Sequence, residues 1–129
     1  MTKFLSIDLV LAIQEKMIKK YGGRLDVHDF TLLHSAIERP RATFGTKDLY
    51  KSIFDKAASI IQSLILNHPF ADGNKRTALT SCALFLHMNG FTLVLTDEET
   101  IQFTLDIDSH KLTFEQTATW LEQHAQKVS

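Results

Sequence analysis

A chain of 129 residues, 44% hydrophobic and 22% charged, has an ordinary globular composition and the length for one hydrophobic core, read as a single domain over residues 1–129. Fourteen lysines and arginines against fifteen aspartates and glutamates leave a net charge of −1, which excludes the strongly basic footprint of a direct nucleic-acid binder. The single cysteine, Cys82, excludes an internal disulfide and a cysteine-rich metal site.

The N-terminal stretch MTKFLSIDLVLAIQ has one lysine, and Asp8 interrupts its short apolar run, so it does not read as a signal peptide. No apolar run approaches the ~18 residues of a membrane span. A cytoplasmic chain that does not enter the membrane is expected.

The first helix is predicted from Ile7 to Tyr21, with Leu9, Ile13, Met17 and Ile18 on one stripe and Gly22-Gly23 as its stop. Leu32, Leu33, Ala36 and Ile37 indicate a short helix after His28-Asp29, ended by Pro40, which disfavours helical geometry at Arg39. PRATFGTK, residues 40–47, has no apolar period and reads as an exposed loop or hairpin, with Arg39 and Arg41 solvated. Ile53, Ala57, Ile60, Ile61, Leu64 and Ile65 recur at spacings of three and four, predicting a long helix over 48–66. The next helix starts near Gly73 or Asn74 and runs to Met88. Its apolar or small residues on nearly every face mark it as a central helix surrounded by others. FTLVL, residues 91–95, has the pattern of a short strand but reads rather as an extended connector. Thr96 with Glu99, and Thr113 with Gln116, have capping-box spacing and start the last two helices, with Trp120 packing the final one onto the domain. The expected fold is all-α, with about six helices.

Between the two longest helical patterns lies HPFADGNKRT, residues 68–77. A helix that starts just after Asp72 points its free N–H groups, and the positive end of its dipole, into this loop. Gly73 allows a sharp turn and a close approach, and Lys75 and Arg76 add positive charge where the amides already favour an anion. Asp72 would repel a bare phosphate, but a Mg²⁺ ion takes carboxylate and phosphate oxygens together. His68 has the chemistry of a general base for a hydroxyl that attacks phosphorus. Phe70 would anchor the loop inward. Each residue also has a plainer reading: His68 as a surface or capping histidine, Asp72 as an N-cap, and Lys75-Arg76 as a solvated helix start. The lone histidines His28, His34, His87, His110 and His124 have no ligand-like grouping, and Cys82 reads as structural.

HPFADGNKR resembles the signature His-x-Phe-x-(Asp/Glu)-Gly-Asn-x-Arg of the Fic/Doc family, and the ending NKRTA, residues 74–78, is closer to its Doc, or death-on-curing, branch. YGG at 21–23, IERPRATF at 37–44 and CALFLHMNG at 82–90 resemble segments of Doc-like proteins as well. The resemblance implies a compact helical Fic/Doc fold around a central helical hairpin, with the motif at its junction. It implies His68 as the catalytic base, Asp72 as the Mg²⁺ ligand, and the backbone at Gly73 and Asn74, with Lys75 and Arg76, as the seat of ATP phosphates. A flap over about Pro40 to Lys47, including Arg41, Ala42, Thr43 and Phe44, would dock the target segment.

Most Fic enzymes transfer AMP from ATP to a protein hydroxyl, with a motif that continues Gly-Asn-Gly-Arg-x-x-Arg. Here Lys75 and Leu79 stand at the second glycine and the last arginine. The Doc branch shares this change, and it resembles a kinase that moves the γ-phosphoryl group of ATP to elongation factor Tu and stops translation. Gly73 matches the AMP-transferring majority, so nucleotidyl transfer is the alternative, with a catalytically silent binding module as a third reading. Many members also carry a self-restraining Ser/Thr-x-x-x-Glu-Gly/Asn helix. The residue four before Glu15, Glu38, Glu98, Glu99, Glu115 and Glu122 is never Ser or Thr. The resemblance therefore implies a separate small antitoxin protein as partner, its helix filling a groove.

Overall fold

The computed structural model describes residues 1–128. Six helices are joined by short connections: α1 (Ile7–Tyr21), α2 (Phe30–Glu38), α3 (Ile53–Leu66), α4 (Asn74–Met88), α5 (Asp97–Asp108) and α6 (Phe114–Gln123). Two small antiparallel ribbons complete the fold, β1 (Thr43–Phe44) with β2 (Lys47–Asp48), and β3 (Phe91–Leu93) with β4 (Ala125–Lys127). The protein is all-α in class, as the periodicity predicts. No helix among the described residues is long and apolar enough to cross a membrane.

Five helix starts are closed by a side chain, from Ser6, Asp29, Ser52, Thr96 and Thr113, each of which accepts a hydrogen bond from the first-turn backbone. At Thr96 and Thr113 the capping box is reciprocal, with Glu99 and Gln116 accepting from the cap's own N–H. The start of α4 differs, because its cap is Gly73 and no side chain closes it.

The core forms where α3 packs against α4 on one side and α6 on another, with α1 laid on α4. Leu33, Ile60, Ile61, Leu64, Phe85, Phe103 and Leu121 fill it. Cys82 lies inside with Sγ 3.6 Å from the Ala57 carbonyl, and burial pushes its thiol pKa up, away from reactivity. The most enclosed helix is α3, with nine buried residues against six in α4. The expectation of a central helix surrounded by others holds where α4 meets α1, α3 and β3, but not all the way round. One face of α4, carrying Lys75, Leu79 and Thr80, lines an open cavity.

Three other expectations change for identifiable reasons. The helix predicted over 48–66 begins at Ile53, because Asp48 pairs with Thr43 in the β1–β2 ribbon and Ser52 caps the helix. FTLVL is a strand over 91–93, since the chain returns after α6 and pairs Phe91 with Lys127 and Leu93 with Ala125. That partner lies too far along the sequence for a local pattern to reveal it. Arg39 is not solvated: its guanidinium donates to Tyr50 Oη at 2.7 Å, Ser63 Oγ at 2.8 Å and Gln62 Oε1 at 3.1 Å. Trp120 stacks face to face between Phe103, at 3.7 Å between ring centres, and His124, at 3.8 Å.

The ribbon of residues 43–48 is tied to the core on both sides, by Arg39 before it and by Lys56 after it. Lys56 is 2% exposed, and its ammonium donates to Asp48 Oδ2 at 3.1 Å and to the Tyr50 carbonyl. Lys56→Met leaves that carbonyl without its donor while Asp48 returns to solvent, so the expected loss is about 1–3 kcal/mol, below the cost of breaking a fully buried ion pair. Urea denaturation measures it.

Candidate functional site

The loop before α4 is fixed from two directions. The Asn74 side chain grips both backbone groups of Phe70, accepting from its N–H at 3.0 Å and donating to its carbonyl at 2.9 Å. On the other side the loop pairs with the α1–α2 connection. The Pro69 carbonyl accepts from the His28 N–H at 2.7 Å, the Ala71 N–H donates to the Asp26 carbonyl at 2.9 Å, and Val27 bridges Phe70. Phe70 sits in the core at 1% exposure. His68 precedes this clamped segment with φ of 45°, a left-handed conformation that histidine takes more readily than most residues. Its ring stands half-exposed at the cavity wall.

Asp72 is held by backbone. The Arg24 N–H donates to its Oδ2 at 2.7 Å. The close approach depends on Gly23, which has φ of +115° and where a Cβ would lie 2.8 Å from the Asp72 Cβ. Gly22 ends α1, and Gly23 makes room for the acid. Among the described residues no group of three or more histidines, cysteines or acids could hold a metal. One carboxylate facing an open cavity fits a Mg²⁺ that keeps waters and shares phosphate oxygens, rather than an ion caged by protein.

Gly73, at φ 77°, turns the chain into α4. The amides of Asn74, Lys75 and Arg76 then form an open helix start, where the dipole favours negative charge. The Asn74 side chain is committed to Phe70, so its backbone alone is free to face a phosphate. The Arg76 guanidinium lies over the Tyr21 ring, 4.0 Å from its centre. The Lys75 ammonium is 3.0 Å from Asp108 Oδ2, and Asp108 Oδ1 is 3.3 Å from His68 Nε2. Asp108 thus joins the two across one carboxylate. The Lys75 hydrogen bond is the main cause that holds the Asp108 carboxyl below its ordinary pKa, offsetting partial desolvation.

A cavity of about 760 Å³ collects His68, Asp72, Gly73, Asn74, Lys75 and Arg76 together with Met17 and Tyr21 of α1 and Ile101 and Leu105 of α5. Its size suits a nucleotide-sized ligand. Phe70 is buried in the core and does not line it. Arg41, Ala42, Thr43 and Phe44 do not line it. Arg41 sits over the Phe4 ring at 4.6 Å, and Phe44 points outward at 84% exposure.

Four further residues shape this wall without a place among the sequence candidates: Tyr21, Gly23, Arg24 and Asp108. Tyr21 and Gly23 belong to the YGG segment, whereas the contribution of Arg24 is a backbone N–H. Asp108 ends a helix far along the chain, and no spacing rule links it to residue 68 or 75.

Residues 4–86 match the Fic/DOC family model. Over 73 residues the chain is 49% identical to a protein named Toxin Doc from Mycolicibacterium smegmatis, an alignment covering 57% of this chain and 56% of that protein. Over 88 residues it is 31% identical to Protein kinase doc of Escherichia phage P1, covering 68% of this chain and 69% of that one. The chain therefore spans little more than half the length of the first relative and about two thirds of the second.

Two outcomes are expected from this geometry. Gly23→Ala forces a side chain into a left-handed position and against Asp72. It should lower stability by at least about 1 kcal/mol and raise hydrogen exchange at the Arg24 amide, measured by NMR. The Asp108 carboxyl should titrate below the ordinary value of about 3.9. Its contribution is present above that value and is lost as pH falls through the lowered one. Carboxyl ¹³C shifts report this midpoint, and Lys75→Met should move it upward.

Proposed function

The chain belongs to the Fic/DOC family, and from that premise we propose that it is a Doc-type toxin that transfers the γ-phosphoryl group of ATP to a hydroxyl of a protein target. The observation that carries the choice of phosphoryl transfer is the shared wall of base and cation. Lys75 and His68 meet at the two oxygens of one carboxylate, so the cation stands beside the base. Leu79 lines the cavity one turn further along α4, where a terminal phosphate would need a cation. The phosphoryl group being moved is then favoured next to His68. The relative named Protein kinase doc supports the same reading.

In this mechanism His68 takes the proton of the target hydroxyl as its oxygen bonds to Pγ. The bond from Pγ to the bridging oxygen breaks, and ADP leaves. Lys75, Arg76 and the open amides of α4 carry the charge that spreads over the phosphoryl oxygens, so catalysis is positioning and electrostatic stabilisation. Asp72 would hold Mg²⁺, which supplies charge neutralisation between the phosphates when bound. The exposed ribbon at 43–48, with Arg41, Ala42, Thr43 and Phe44, presents the target segment. Elongation factor Tu is the proposed target, and a small antitoxin protein is the proposed partner. The name Toxin Doc of the first relative supports that partner.

Nucleotidyl transfer is the second reading. Gly73, whose positive φ turns the chain into α4, is the residue in its favour, through the resemblance to AMP-transferring motifs. ATP labelled at the α- or γ-phosphorus, incubated with the protein, Mg²⁺ and elongation factor Tu, separates the two. Label from γ alone is expected, and label from α overturns kinase chemistry. His68→Ala should lower transfer by at least about 100-fold, the lower range for a general base, with its thermal unfolding unchanged.

A further inference from the structure

Asp108 occupies a place that the helix itself disfavours. It is the last residue of α5, where the dipole's negative end repels a carboxylate, and no basic residue of that last turn compensates. Its contacts come instead from the loop before α4 and from the first turn of α4. The two oxygens are divided between two partners: Oδ1 faces His68 Nε2 at 3.3 Å and Oδ2 faces Lys75 Nζ at 3.0 Å. Both contacts are partly open to solvent, where an ion pair adds little to stability.

The division has a chemical consequence. An ionised carboxylate only accepts hydrogen bonds. Facing it, the neutral imidazole carries its hydrogen on Nε2, which leaves the lone pair on Nδ1. Lys75 favours the ionised form of Asp108, and so keeps it an acceptor. When the ring gains a second proton, the new positive charge already has a carboxylate against it.

We infer that Asp108 is a positioning residue for the transfer, selecting the Nε2–H tautomer of His68, so that Nδ1 takes the target's proton, and stabilising the imidazolium that results. The inference rests on the reading of His68 as the base and adds the group that orients it. As the hydroxyl proton passes to Nδ1, the hydroxyl oxygen bonds to Pγ and ADP departs. Asp108 exchanges no proton.

The test uses the full chain in two measurements. In ¹⁵N-histidine-labelled protein at a pH where the ring is neutral, His68 should show a protonated Nε2 and an unprotonated Nδ1, and Asp108→Ala should move it toward a mixture of tautomers. In the labelled-ATP assay Asp108→Ala should lower kcat at least about tenfold, part of what a general base contributes, without raising KM for ATP. Asp108→Asn, which keeps the shape and loses the charge, should also lower kcat, whereas Asp108→Glu should restore part of it. A merely structural role would not move the tautomer. An Nδ1–H ring in the wild type, or wild-type kcat in Asp108→Ala, overturns the inference. If the wild-type chain transfers no label, the proposed function fails and the role in transfer with it, while the spectrum still decides the tautomer: a ring that depends on Asp108 upholds that selection, and an unchanged ring overturns it.

Discussion

The Asn74 side chain closes on both backbone groups of Phe70, and that clasp makes the loop before α4 a fixed mount. Phe70 is driven into the core by burial, and the Asn74 amide satisfies the polar groups that the buried ring drags with it. The residues on either side cannot then wander. His68 is held at one end of the clasped segment and Asp72 at the other, while the helix start opens beside them.

The second support comes from the α1–α2 connection. Asp26, Val27 and His28 pair with the loop as a short strand would, and the Arg24 N–H reaches the Asp72 carboxylate. Gly23 makes this possible because nothing larger than hydrogen fits against Asp72. The same connection therefore ends α1, braces the motif and aims its acid. Tyr21, one residue before the two glycines, stacks under Arg76. A ten-residue motif is thus completed by groups from α1, its following loop and α5.

Charge is distributed with similar economy. The α4 start has no side-chain cap, so its amides and dipole remain available in a cavity that also holds Lys75 and Arg76. Besides Asp72, Asp108 adds a second carboxylate, shared between Lys75 and His68. The ribbon at 43–48 does not line this cavity, and Arg39 and Lys56 root it on α3.

The sequence by itself determined the six helices, since apolar period, capping boxes and glycine stops are local signals that tertiary contacts here reinforce. It also determined the membership of His68, Asp72, Gly73, Lys75 and Arg76 in one loop and one helix turn, because they are neighbours along the chain. Local pattern could not place the start of α3, where a cross-ribbon pairing moved the first helical residue to Ile53, nor the β3–β4 pairing that joins residues 91–93 to 125–127. It likewise misjudged the surroundings of α4, whose apolar composition conceals one face left open to a cavity. Asp108 could only be found in three dimensions: its meeting with His68 and Lys75 depends on where α5 ends against α4, a consequence of packing rather than of spacing.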